Sequence, residues 1–402
     1  MSSRDDQPNP SAIVVVGPPL DRIGGMTTVV QQMLRMDFAG RFHLDFVPFT
    51  LSASRHEPFY ARGSRHLRQT RALRDVVRRT GAQVVHLHTC SDVTFYRSLV
   101  DMHTVRRLGA RTILHVHGAH FDAFHEEGSA LRRLLIRRGL SRADRVVALS
   151  SRWADRLARI APKARITVIE NAVDFPPRPP ARDARDTCRF LLLARMDGWK
   201  GIDDLLDACA LLRGHGAAFQ LTLAGPPGTA GDAAGLETKI ERRALGTMVR
   251  YAGPVQGADK SALLSHADVY VQPSHHEGMP IAVLEALGFG LPIVATAVGA
   301  LGEVVDHGRQ GLIVPPRKPE LLADAMRRLA IDPALRRTMS LAARSLAEAR
   351  FSVDRFREDL AFLYEDMHTS ATTTRPIALR DTRTDPVAAS PGRHFGASPA
   401  TR

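Results

Sequence analysis

The segment Ser274-His275-His276-Glu277-Gly278-Met279-Pro280-Ile281-Ala282-Val283-Leu284-Glu285-Ala286 places two carboxylates eight positions apart, one on a Gly/Pro-marked turn and one inside an apolar helical run. A turn that feeds a helix start is an anion site, because unpaired backbone N–H groups and the positive end of the helix dipole face the ligand. Carboxylates repel phosphate, so beside such a site they suit hydroxyl groups, whose hydrogen bonds they accept. Phosphate and sugar hydroxyls together imply a nucleotide sugar. Pro280 is expected at the first helical position, which leaves Glu277 in the loop, able to swing over the anion site.

Three further groups could serve that ligand. Arg195-Met196-Asp197-Gly198-Trp199-Lys200-Gly201 follows an apolar strand candidate at 189–194. Two cations at a strand's carboxyl end can hold a diphosphate and stabilise it as it departs; the plainer alternative is a surface ion pair with Asp197 or Asp203. Gly24-Gly25-Met26-Thr27 follows the first strand and offers close backbone approach plus another helix start, although a Gly-Gly turn alone is only a turn. The chain has neither GxGxxG nor GxxxxGK[ST], which counts against dinucleotide and ATP-hydrolysis readings. His86 and His88, like His115 and His117, stand two apart on strand candidates, so each pair shares a face. No Cys or carboxylate joins them at ligand spacing, so no metal is expected. His117, before Gly118, is the one expected to touch substrate; the others belong to the core or stand behind it.

These residues need strand ends to position them. Apolar strand patterns at 12–17, 43–49, 83–88, 111–117, 145–149 and 165–169 alternate with helical patterns at 27–36, 65–79, 94–108, 128–140 and 151–159. A second series follows, with strands at 189–194, 219–224, 248–252, 268–271, 292–295 and 311–314. Its helices fall at 201–213, 233–244, 259–265, 280–288, 301–306 and 318–330. Alternation of this kind predicts two doubly wound α/β domains facing a central cleft. The expected boundaries are a disordered start over 1–11, a first domain over 12–174, a stiff Pro-rich linker over 175–187 and a second domain over 188–350. A helical stretch over 333–366 closes the fold, and 370–402, rich in Thr, Ala, Pro and Arg, is expected to be disordered.

Composition narrows the class. The formal charge is +13 and its cations are nearly all Arg, with Lys only at 163, 200, 239, 260 and 318. Arg62, Arg65, Arg68, Arg71, Arg74, Arg78 and Arg79, then Arg132, Arg133, Arg137 and Arg138, alternate with Leu or Val at helical spacing. Such helices have basic faces suited to an anionic membrane surface, or reflect an Arg-favouring codon bias. No apolar run reaches the length that spans a bilayer. The start lacks the pattern of a secretory signal, and Cys90, Cys188 and Cys209 show no redox or metal spacing, so a cytoplasmic protein is expected, peripheral on the inner membrane face if the basic helices dock.

The ordered set of motifs resembles the GT-B-fold retaining glycosyltransferases of family 4. The set runs from Gly24-Gly25 through His117-Gly118, Val168-Ile169-Glu170-Asn171-Ala172-Val173-Asp174, Arg195 with Lys200-Gly201, Leu223-Ala224-Gly225, Gly253 and Glu277-x7-Glu285 to Glu303. Leu114-His115-Val116-His117-Gly118-Ala119-His120-Phe121 is most similar to members that build exopolysaccharide, capsule or O-antigen. The resemblance implies that Arg195 and Lys200 hold a donor diphosphate with backbone N–H groups of Gly25 and of Gly278, Met279 and Ile281. It further implies that Glu277 contacts donor-sugar hydroxyls, Glu285 the ribose and His117 the sugar or reacting centre, with Gly225 lining the donor site. The donor would be a UDP- or GDP-sugar, the acceptor a glycan or lipid-linked saccharide, and no metal would be needed. The residues 351–369 would form a helix crossing back to the first domain. Where many members have a Gly-rich turn, this chain has Glu-Gly-Met-Pro, and Pro280 lacks one N–H. The competing readings are a nucleotide-sugar epimerase on the same fold and a basic nucleic-acid-binding protein; aromatics at 6% offer few stacking platforms for the latter.

Overall fold

The computed structural model describes residues 10–49, 59–118, 121–182, 186–228 and 232–369. Most of the two ends expected to be disordered, 1–9 and 370–402, lies outside them, and Ser11 already opens the first strand. In the first half, β1 (Ser11–Gly17), β2 (Phe42–Pro48), β3 (Val84–Thr89), β4 (Arg111–Val116), β5 (Arg145–Ala148) and β6 (Ile166–Val168) alternate with helices. These are α1 (Gly25–Arg35), α2 (Phe59–Thr80), α3 (Val93–Arg106), α4 (Phe121–Glu126), α5 (Ala130–Arg142) and α6 (Ser151–Ile160). The strands pair in parallel in the order β2-β1-β3-β4-β5-β6.

The second half repeats the plan with β7 (Cys188–Leu193), β8 (Phe219–Ala224), β9 (Val249–Tyr251), β10 (Val269–Gln272), β11 (Ile293–Thr296) and β12 (Gly311–Val314), in the order β12-β11-β10-β7-β8-β9. Its helices are α7 (Ile202–Gly214), α8 (Asp232–Arg242), α9 (Gly257–His266), α10 (Ile281–Gly288), α11 (Leu301–Val304) and α12 (Pro319–Ile331). Two more, α13 (Pro333–Arg350) and α14 (Val353–Thr369), replace the single helical stretch that periodicity suggested. The short α4, too brief for a helical period to register, has no counterpart in the sequence reading.

Continuous apolar strands bury both faces, as parallel sheets require. Ile13 and Val15 of β1 enter one core while Val14 and Val16 enter another, all fully buried. Likewise Leu191 and Leu193 of β7 face one core, and Phe190 and Leu192 the opposite one. Each such side chain contributes about 1.5–3 kcal/mol relative to exposure. The core shared by β1 and β7 is a single cluster that runs from α1 through Ile169, Ala172 and Val173 to α10 and α14.

The Pro-rich segment between the sheets is not a free spacer. A Cβ on Gly288 would lie 2.6 Å from the Phe175 ring, so Phe175 lies flush on α10. Arg344 donates to the Pro176, Pro177 and Gly288 carbonyls, and Arg182 to those of Ala267 and Phe289. The chain breaks after α13 at the buried Phe351, whose carbonyl accepts from Val173 N–H at 3.0 Å, and α14 then crosses to the first sheet. There the fully buried Tyr364 packs on Phe38 and Phe42, and its hydroxyl lies 2.9 Å from His86 Nδ1. Tyr364→Ala is expected to cost about 3–5 kcal/mol, as for other large-to-small core changes. Tyr364→Phe removes only the hydrogen bond and should cost about 1 kcal/mol; urea unfolding of both variants checks the difference.

Candidate active site

Each sheet reverses its strand order once, between β1 and β3 in the first and between β7 and β10 in the second. Ligands of open parallel sheets bind at the carboxyl ends of strands at such reversals. The loops leaving these strands and the neighbouring β4 carry Gly24, Gly25, His117, Arg195, Lys200 and Glu277.

The loops of the second domain interlock first. Gly201 has φ +66°, and a Cβ there would lie 2.0 Å from the Pro273 carbonyl oxygen. Only glycine lets the loop after β7 close on the loop after β10. His275 N–H donates to the Trp199 carbonyl at 2.8 Å across the same seam. Lys200 is thereby carried onto Glu277, with Nζ 2.7 Å from Oε1. The same oxygen accepts from Ser274 Oγ at 2.7 Å and Gln272 Nε2 at 2.9 Å, and Tyr270 donates to Gln272 Oε1 at 2.8 Å. Glu277, only 8% exposed, is thus wired in place and does not swing. Its three donors converge on Oε1, so Oε2 is the atom left for a ligand.

The helix start beside it differs from the expectation. Pro280 is extended (φ −72°, ψ 116°) and is the N-cap of α10, so the first helical residue is Ile281. The proline ring therefore leaves the first-turn N–H groups of Ile281 and Ala282 untouched, and these have no intrahelical acceptor. Met279 is buried, and its carbonyl takes Asn171 Nδ2 at 3.3 Å. A Cβ on Gly25 would meet Ile281 Cγ1 at 3.4 Å. The starts of α1, which begins at Gly25 behind the N-cap Gly24, and of α10 therefore come together from the two domains. Gly225 follows β8 with φ +143°, its backbone held against Ala194.

Glu285 pairs with Lys260 of α9, whose Nζ lies 2.5 Å from Oε1. Burial raises the Glu285 carboxyl above its ordinary range, Lys260 pulls it back, and Asp174 adds to the rise. Arg195 behaves as the plainer alternative has it: its side chain is 62% exposed and its Nε donates to Asp197 at 2.6 Å. The structure brings Lys200 to Glu277 and leaves Arg195 at the rim.

Across the cleft, His117 and Gly118 share a pocket with Glu277, Gly278 and Gly299. Glu303 closes one side of it by accepting from Ser150 Oγ at 2.9 Å and Arg152 N–H at 3.1 Å, and so serves as a bridge between domains. Behind His117 the other histidines form a buried stack. His88 Nδ1 lies 2.8 Å from His117 Nε2, and His86 Nε2 lies 3.1 Å from His115 Nδ1. Nitrogens of His86, His88 and His115 lie within 4.8 Å of one another, near enough to raise the question of a metal. The rings are stacked, with planes 5° to 30° apart, and His86 Nε2 and His115 Nδ1 are taken up with each other. Desolvation holds the stack neutral: His86 and His117 are lowered from 6.5 to about 3, and His88 and His115 well below 6.5.

The pattern described as Glycosyltransferase Family 4 matches residues 37–175, and that described as Glycosyl transferases group 1 matches residues 181–346. The chain belongs to the family 4, group 1 glycosyltransferases. A glycogen synthase of Mycobacterium tuberculosis is 34% identical over 190 residues, 47% of this chain and 45% of that protein. The chain thus spans about half the length of that relative. The fold is GT-B: a sucrose-phosphate synthase from Thermosynechococcus elongatus superposes with a TM-score of 0.76 at 22% identity, covering 90% of this chain and all of that one. HepE from Anabaena, solved with UDP and glucose, gives 0.68 at 18% identity, covering 89% and 100%.

Lys260, Gln272, Ser274 and Tyr270 are not among the site residues that type and spacing single out. Ser274 was within reach, since it stands three residues before Glu277, a spacing that brings a hydroxyl onto a carboxylate across a turn. Lys260 joins Glu285 only through the packing of α9 on α10, which no local spacing records.

The neutral stack fixes how stability depends on pH. Unfolding restores each histidine to about 6.5, so the unfolded chain binds more protons below that value and stability falls with pH. The loss for each of the three fully buried histidines is about 1.4 kcal/mol per pH unit below 6.5. Urea midpoints measured from pH 7.5 down to about pH 5 should drop steeply; a flat series contradicts a neutral stack.

Proposed function

We propose that this glycosyltransferase moves a sugar, with retention, from a UDP- or GDP-sugar to a glycan or lipid-linked saccharide during cell-surface polysaccharide synthesis. The observation that carries the reading is the Lys200–Glu277 pair at 2.7 Å, set at the strand reversal of one domain and facing His117 of the other. In this reading 12–174 is the acceptor domain and 188–350 the nucleotide-sugar domain.

The chemistry follows from charge. Lys200 and the N–H groups of Ile281, Ala282 and Gly25 hold the diphosphate and take up charge as it leaves. Arg195, whose side chain is exposed while that of its partner Asp197 is mostly buried, lies at the rim, where it can add a second cation by turning from Asp197. Glu277 Oε2 accepts from sugar hydroxyls, and Glu285, paired with Lys260, accepts from the ribose. The acceptor hydroxyl attacks from the face that the diphosphate vacates. That step needs positioning and leaving-group stabilisation and no metal.

Lys200→Ala and Glu285→Ala should each lower transfer by at least about a hundredfold with circular dichroism unchanged. Near-normal turnover in both overturns the site. NMR of the nucleotide sugar incubated without acceptor separates transfer from epimerisation. A nucleoside diphosphate at about a hundred times its Kd should stabilise the protein by about 2.7 kcal/mol.

A lipid-linked acceptor brings a membrane into the reading. Among the described residues no helix is long and apolar enough to cross one, so contact would be at the surface. The helices α2, α3 and α5 share one core beneath them and form one layer. Their outer side exposes Arg68, Arg71 and Arg78 of α2, and on α5 Arg133, Arg137 and Arg138 among Leu131, Leu134 and Leu135, which are 65%, 42% and 37% exposed. Exposed leucines between arginines suit the boundary of an anionic bilayer, where codon bias would give arginines alone. Vesicles containing phosphatidylglycerol should co-sediment with the protein, and changing the three leucines to Glu should abolish this; unchanged binding would overturn the docking face.

A further inference from the structure

His117 meets the cleft with one ring nitrogen, because the other is spent on the wall behind it. Its Nε2 lies 2.8 Å from His88 Nδ1, and its Nδ1 has no hydrogen-bond partner among the described residues. One of the two nitrogens in that contact carries the proton, and which one decides what His117 offers to a ligand.

The choice is made deeper in the fold. His88 is fully buried on β3, and its far nitrogen, Nε2, has no partner among the described residues. If that nitrogen held the proton, a bare N–H would be buried without an acceptor, the rarest kind of unsatisfied group in folded proteins. The favoured tautomer of His88 therefore carries its proton on Nδ1 and donates it to His117 Nε2. His117 must then carry its own proton on Nδ1. The neighbouring rings exclude the remaining option, a protonated imidazolium, since His115 lies 4.9 Å and His86 4.8 Å from the His88 ring with nothing acidic in the stack.

We infer that His88 is a positioning residue that locks His117 into the Nδ1–H tautomer, so that His117 serves as a hydrogen-bond donor to the sugar nucleotide and not as a base for the acceptor hydroxyl. The inference rests on the transferase reading of the cleft and adds a direction to the one contact that reading leaves open. An N–H in this position pairs with a sugar oxygen or with an oxygen of the departing diphosphate. Neither role takes a proton from the acceptor, which agrees with a substitution driven from the leaving-group side.

The full chain labelled with ¹⁵N-histidine decides the tautomer directly, with the His117 resonances identified by their loss in His117→Gln. The expected spectrum has a pyrrole-type Nδ1 and a pyridine-type Nε2 for His117 near neutral pH; the reverse pattern overturns the inference. This readout needs no turnover, so its failure is distinct from failure of the transferase reading. His88→Met, which cannot donate, should lower kcat about tenfold or more with donor KM within about twofold and mix the two tautomers. His88→Asn, whose amide can still donate, should recover most of kcat and the Nδ1–H signal. Unchanged kcat and tautomer in His88→Met also overturn it, and if that variant does not fold, the wild-type spectrum decides alone.

Discussion

The apolar cluster common to both domains is the constraint on which the rest depends. Ile13 and Val15 of β1, Leu191 and Leu193 of β7, and Leu360 and Tyr364 of α14 are parts of one buried body. Two Rossmann-like units could each bury a sheet without the other, but here the inner layers are shared. The shared core fixes which strand ends face each other, and so which loops can meet. The contact of Gly25 with Ile281 and the pocket between His117 and Glu277 follow from that packing, and the bonds from Ser150 and Arg152 to Glu303 close the pocket on one side.

Charges within the site are satisfied before any ligand arrives. Lys200 rests on Glu277, Lys260 on Glu285 and Arg195 on Asp197. A bare pair of buried carboxylates would be costly, so the lysines let the sequence keep Glu277 and Glu285 in low-dielectric surroundings. In the proposed function a diphosphate competes with Glu277 for Lys200, and a sugar hydroxyl replaces what Glu277 gives up. The histidine stack takes the opposite solution, remaining neutral in a setting with no counter-charge.

Much of this was legible in the chain. Apolar runs of four to seven residues, punctuated by Gly and Pro, mark the strands because a parallel sheet buries both faces. The Glu277-x7-Glu285 spacing, the Gly-Gly turn and His117-Gly118 locate the site because strand ends are where such turns must fall. The partners of those residues were not legible. Lys260 reaches Glu285 from another helix, and Tyr364 reaches His86 from 278 residues away; such contacts depend on how elements pack, which local spacing does not encode. Pro280 misled for a related reason. Its preference for the first helical turn and its tolerance of an extended N-cap differ by a single position, and the anchoring of Met279 by Asn171 selects the latter.

The chain passes between the domains twice, after Val173 and after Phe351, and those two crossings are hydrogen-bonded to each other at 3.0 Å. Because the linker downstream of Val173 is tied to the second domain through Arg344 and Arg182, its length adds no slack. Any opening of the cleft must therefore turn about a single hinge line through these adjacent crossings. Arg350, next to Phe351, extends that line by donating to Glu170 and to the Glu303 carbonyl. The Ser150–Glu303 hydrogen bond closes the same seam, and the fold is bound as a book is, along one spine.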